Sequence, residues 1–221
     1  MRQRQELVDA NPFAQTVEEQ IAALRLANEE EGWNIPEETF TRLAETAPAW
    51  PQGRDSYRSF RIRFGKGDEG VARTFEAHAA RIKRIFGENK FWRWVYLRSD
   101  KKYLRLLAGN ASHKPVVEWT IVHLDANRKR KSIEAVRGPK SLADEGLVLA
   151  WLFPKRVEAI DYKEWCAWFC AGYELLYVPE DGESRQDVPC VYRYLDMGEA
   201  YLNAYWRSGG RSGCSAPVSG E

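Results

Sequence analysis

The chain has 221 residues, 44% hydrophobic and 29% charged, with 33 basic and 32 acidic side chains and a net charge of +1. This balance excludes a strongly basic histone-like protein and an acidic solvating one. A chain of this size buries about 70% of its unfolded surface, enough for a core without disulfides or a structural metal.

The longest apolar run, Gly146 to Phe153, covers eight residues and is too short to span a bilayer. Met1 to Glu6 shows no apolar segment after its positive charges, so no secretory signal is read. These features predict a soluble, cytoplasmic protein with no membrane contact. The four cysteines, Cys166, Cys170, Cys190 and Cys214, match neither a zinc knuckle nor a redox pair. Cys166 and Cys170 read as small buried hydrophobes, Cys214 as a free exposed thiol. No cofactor and no metal is expected.

Charge is unevenly spread. Residues 1–53 carry a net −6, residues 54–140 a net +13 and residues 141–221 a net −6. A basic middle between acidic flanks can present a face to phosphates, or be neutralised by its flanks within the fold.

In chain order, Thr16-Val17-Glu18-Glu19 reads as a capping box opening a helix that runs to Gly32. A second helix has Pro36 in its first turn, a face of Phe40, Leu43, Ala44 and Ala47, and a stop at Pro48. Ser59–Phe64 alternates apolar residues with Arg61 and Arg63, which predicts a half-exposed strand. Val71, Phe75, His78, Ile82 and Ile85 mark an amphipathic helix over about residues 69–86, with Gly87 as its C-cap.

Phe91–Leu97, Tyr103–Leu107 and Val116–Leu124 follow as strands of an antiparallel meander. Ser141 and Asp144 open a helix ending at Phe153; apolar on all sides, it is expected to be the central buried helix. Asp161 and Glu164 are read as capping a short helix bearing Trp165, Trp168 and Phe169. Tyr173–Val178, Val188–Leu195 and Ala200–Arg207 then read as hairpin strands. From Ser208 the tail holds four Gly and four Ser and is expected to be disordered.

The pattern predicts an α+β fold, mainly antiparallel sheet built from hairpins, packed on several helices including one central buried helix. A single domain is expected over residues 1–207, with residues 208–221 as tail. The alternative boundary near Pro51 sets residues 1–51 apart as a helical hairpin.

Gly65-Lys66-Gly67-Asp68-Glu69-Gly70 matches a dinucleotide fingerprint between a strand and a helix. The arginines of the preceding strand, the carboxylates at the phosphate position and the lack of alternating strand and helix argue instead for a glycine turn. Asp161-Tyr162-Lys163 with Asp144 resembles the acid–lysine set of metal-dependent nucleases, but helix capping explains both acids. His78 lies on an apolar helix face and reads as a satisfied core histidine.

The remaining candidates concern nucleic acid. Arg128, Lys129, Arg130 and Lys131 form the densest basic run. In Phe91–Arg98 aromatics interleave with arginines, and on one strand Trp92, Trp94 and Tyr96 share a face able to stack unpaired bases, beside Arg93. The expected function is a non-catalytic binding domain contacting nucleic acid or another polyanion. Two alternatives stand beside it. One is a small enzyme with a site assembled by the fold from His123, Glu118, Asp125 and Asp161. The other is an adaptor with an exposed apolar patch.

Overall fold

In the computed structural model, which describes residues 11–53, 55–65, 67–98, 103–106, 115–124, 143–158, 167–170, 172–177, 185–194, 199–206, 214–215 and 218–219, helices and sheets alternate in an α+β arrangement. The first helix, α1 (Val17–Glu31), starts on the expected box: Thr16 Oγ1 accepts from the Glu19 amide at 3.2 Å, and the Glu19 carboxylate accepts from the Thr16 amide at 2.9 Å. It ends on Gly32 at φ 63°, a left-handed position that suits glycine. Helix α2 (Glu37–Glu45) follows Pro36 and buries Phe40 and Leu43.

Strand β1 (Ser56–Arg63) leads into α3 (Gly67–Phe86). Gly65 and Gly67 make the turn at φ 83° and 60°, and a Cβ on Gly70 would lie 2.5 Å from the Gly65 carbonyl carbon. The glycines therefore serve a tight strand-to-helix approach. The Gly87 amide closes α3 on the Lys83 carbonyl at 2.9 Å.

Beyond α3 come β2 (Phe91–Arg93), β3 (Leu104–Leu106), β4 (Val116–His123), α4 (Asp144–Leu152), α5 (Pro154–Glu158), β5 (Ala167–Phe169), β6 (Tyr173–Tyr177), β7 (Arg185–Tyr194) and β8 (Glu199–Trp206). Two short strands, β9 (Cys214–Ser215) and β10 (Val218–Ser219), lie in the segment read as a disordered tail. One sheet has the order β1-β4-β10. The larger runs β2-β8-β7-β5-β9, with β6 also on β7 and β3 on β6. Among the described residues the pairings are antiparallel except β2 with β8 and β5 with β9. No helix among the described residues is long and apolar enough to cross a membrane.

Several local expectations change. The meander of residues 91–124 does not form, because its three strands find partners far along the chain: β2 pairs β8, β3 pairs β6 and β4 pairs β1. The strand expected to reach Leu97 stops at Arg93. The Trp94 amide makes a last bond to the Leu202 carbonyl at 2.9 Å, and a 3₁₀ turn over Val95–Leu97 then buries Leu97. Residues 167–169, expected on a helix, form β5, since β7 offers a free edge at Cys190 and Val191.

The β1 strand is not half-exposed. Arg58 and Arg63 are 4% and 8% accessible. Alternating arginines mimic an amphipathic strand in sequence, but here both faces of the sheet are covered. Arg58 is met by Gln20 of α1, at 2.7 Å, and Arg63 by Asp144 of α4, also at 2.7 Å.

All nine residues of α4 are buried, as its apolar surface requires. Trp151 of α4, Trp33 and His78 form an aromatic hub, with Trp33 centroids 5.8 Å from each of the other two. The buried apolar residues of α1, α2, β1, α3, α4, β6 and β8 join in one cluster.

Candidate functional site

Two places in the fold carry chemistry that packing alone does not use, and both flank β2. Alternation along this strand sends neighbouring side chains to opposite faces. Trp92 stands outward, 40% accessible. Arg93 turns inward to Glu76 of α3, in a two-pronged pair at 2.7 and 2.6 Å.

On the outer face, register builds an aromatic row. Trp92 is opposite Tyr201 on β8, and Tyr201 is opposite Tyr192 on β7. Ring centroids are 5.2 Å apart in the first pair and 5.4 Å in the second, where the rings are nearly parallel at 17°. The row runs from exposed Trp92 to buried Tyr192, so its open end is the indole. Exposed Lys90 precedes it, and the Tyr201 hydroxyl donates to Glu199 at 2.8 Å. Tyr192 and Tyr201 were not singled out in the sequence; they become partners of Trp92 only through strand pairing.

On the inner side lies a cavity of about 570 Å³ between the first half of α3 and a wall made by Leu97, Arg98 and β3. Asp68, Glu69, Ala72, Phe75 and Glu76 line it from the helix, and Leu97, Arg98, Leu104 and Arg105 from the opposite wall. Arg93 holds this lining in place. Besides pairing with Glu76, it donates to the Leu97 carbonyl and lies 5.4 Å from the Phe75 ring centroid. Behind Phe75, the Tyr173 ring packs edge-on at 5.7 Å, and its hydroxyl donates to Asp144.

The other expected site residues are placed as follows. Trp94 and Tyr96 do not share a strand face with Trp92. Both are half-buried against the core, ring to ring at 5.1 Å. The Arg93 guanidinium is occupied internally. Arg128, Lys129, Arg130 and Lys131 lie outside the described residues, as do Asp125 and Asp161.

His123 and Glu118, proposed together for an enzyme, point to opposite faces of β4. His123 Nδ1 shares a hydrogen bond with Ser56 Oγ at 2.7 Å, while Glu118 accepts from Arg61 at 3.1 Å. They do not converge on one pocket.

Much of the basic middle is neutralised internally. Arg81 pairs with Glu30, Arg84 with Glu31, Lys83 with Glu88, Arg61 with Glu145 and Glu118, and Arg63 with Asp144. Asp144 and Glu145 are therefore ion partners for β1. Asp144 does not cap α4, whose N-cap Ala143 makes no side-chain cap bond, while Glu145 reaches back to accept from the Ala143 amide at 3.0 Å.

Burial, reinforced by the adjacent Glu145 charge and only partly opposed by Arg63, raises Asp144 to about 7. Burial likewise pushes the Cys170 thiol well up, with the Asp144 and Glu145 charges adding to it. His78 is lowered to about 4 by burial, against the smaller opposing influence of its bond to the Ile62 carbonyl. The Trp151 indole donates to its Nδ1 at 3.2 Å, leaving Nε2–H for that carbonyl. It is a satisfied, neutral core histidine.

Among the described residues, no three His, Cys, Asp or Glu side chains come together to hold a metal ion. No protein-family model, curated protein or solved structure matches the chain.

Proposed function

We propose that the protein is a non-catalytic binding domain for single-stranded nucleic acid, using Trp92 as its stacking surface. The observation that carries this reading is the in-register row Trp92–Tyr201–Tyr192. It backs an exposed indole with two further rings, the nearer at 5.2 Å and tilted by 35°, so the indole is held on the sheet while 40% of the residue stays open to solvent. Stacking on such a surface needs no sequence readout and contributes about 1–3 kcal/mol per base. Lys90 beside it and the run Arg128–Lys131 supply charge for the phosphates, so affinity falls with salt. Arg93, Trp94 and Tyr96 act behind this surface, as supports of the β2 turn.

Fluorescence anisotropy with labelled oligothymidylate at low salt tests the reading. Binding is expected, with indole quenching, and Trp92→Ala should weaken it about thirtyfold, the middle of the stacking range. Absence of binding to DNA and RNA single strands at low salt, or unchanged affinity in Trp92→Ala, overturns it.

A further inference from the structure

The inner cavity has a charge layout that the aromatic row does not explain. Its helix wall carries Asp68 and Glu69, exposed and without a hydrogen-bond or ion-pair partner among the described residues, while Glu76 on the same wall is neutralised by Arg93. Across the cavity, Arg105 of β3 is exposed and likewise without a partner among the described residues. The rest of the lining is apolar, Ala72, Phe75, Leu97 and Leu104, together with exposed Arg98, which has a partner of its own. At about 570 Å³ the space falls within the range of small-ligand sites, which combine apolar lining with a few placed polar groups.

An anion alone would meet the two carboxylates, and a cation alone the guanidinium. A ligand that carries one charge of each sign on an apolar body meets both walls. We infer that this cavity binds a short peptide with both termini free. Its ammonium faces Asp68 and Glu69, its carboxylate faces Arg105, and its apolar side chains lie on Phe75, Leu97 and Leu104. The carboxylate has a geometric match in the planar guanidinium fork. Arg93 is a positioning residue here: it holds Glu76, the Leu97 carbonyl and the Phe75 ring without reaching the ligand.

Isothermal titration calorimetry with leucyl-leucine, its N-acetyl form and its C-terminal amide tests this directly. The free dipeptide is expected to bind, and blocking either end should weaken binding at least about tenfold, the worth of one charged hydrogen bond. The variant Asp68→Asn/Glu69→Gln should erase the penalty of acetylation and keep that of amidation. Arg105→Gln should do the reverse. All three positions are exposed, so the variants should fold, which circular dichroism verifies.

Failure of the free dipeptide to bind, equal binding of the blocked forms, or penalties unchanged in the variants each overturns the inference. Trp92→Ala should leave dipeptide binding unaltered, so this inference and the nucleic-acid reading stand or fall separately.

Discussion

Arg63 donates from Nε to Asp144 Oδ2 at 2.7 Å across the interface of β1 and α4, with both side chains almost wholly withdrawn from water. The pair ties the first sheet to the central helix. Its second carboxylate oxygen accepts from Tyr173 of the other sheet. Asp144 thus joins three elements that are far apart in sequence.

Removing Asp144 strands the Arg63 guanidinium in the core, and removing Arg63 leaves the buried Asp144 carboxyl without its cation, to be held there protonated. Arg63→Ala and Asp144→Ala should each cost about 3–5 kcal/mol. The double replacement Arg63→Met/Asp144→Leu should cost less than either single change, because no unpaired charge remains. Urea melts of the set check the order.

Helix α4 should dominate stability. Leu149 is 1% accessible within the core cluster, so Leu149→Ala should cost about 2–5 kcal/mol through lost contact and a residual cavity. Arg73, exposed on α3 with its guanidinium 5.8 Å from the Phe64 ring, should tolerate alanine within about 0.5 kcal/mol. Denaturant midpoints at matched slope decide this.

The pH response should contain two opposed parts. His78, lowered from 6.5 to about 4 by burial, favours the native state above pH 6.5 and loses that contribution as pH falls toward 4. Asp144, raised from 3.8 to about 7, takes up its proton first in the native state, so its contribution is full below 3.8 and lost as pH rises through 7. Between pH 4 and 6.5 the two slopes partly cancel. His78→Leu should uncover the Asp144 slope, with urea midpoints falling as pH rises from 4 to 7. A flat profile in that variant would contradict the assignment.

Gly70→Ala should be costly although its backbone is an ordinary helical one. The added methyl would stand 2.5 Å from the Gly65 carbonyl carbon, so α3 must move away from the end of β1. A loss of about 1–3 kcal/mol is expected, in the range of overpacking. At Gly67, at φ 60° with open space around it, alanine strains only the backbone. Thermal melts of both variants separate crowding from backbone strain.

The α+β class and the two best-marked helices followed from local rules, because capping and periodicity are written over a few neighbouring residues. Thr16 with Glu19 starts α1, and the stripe Val71, Phe75, His78 and Ile82 is the buried face of α3. Helix α4 was legible for a related reason: a segment apolar all round has nowhere to go but inside.

Strand partners were not legible, since pairing depends on which edges are free once the helices have packed. For that reason β2 joined β8 instead of continuing toward β3, and the aromatics of residues 91–98 divided between an exposed face and the core. The fate of the arginines was equally nonlocal. Alternation in β1 looks the same whether a guanidinium meets water or a buried carboxylate, and only the approach of Asp144 and Glu145 from more than eighty residues away decides it. The outer row and the inner cavity share this origin, for each is made of side chains from different elements. Sequence sets what each segment can be, while long-range packing sets which side chains meet, because a local pattern carries no record of its distant partner.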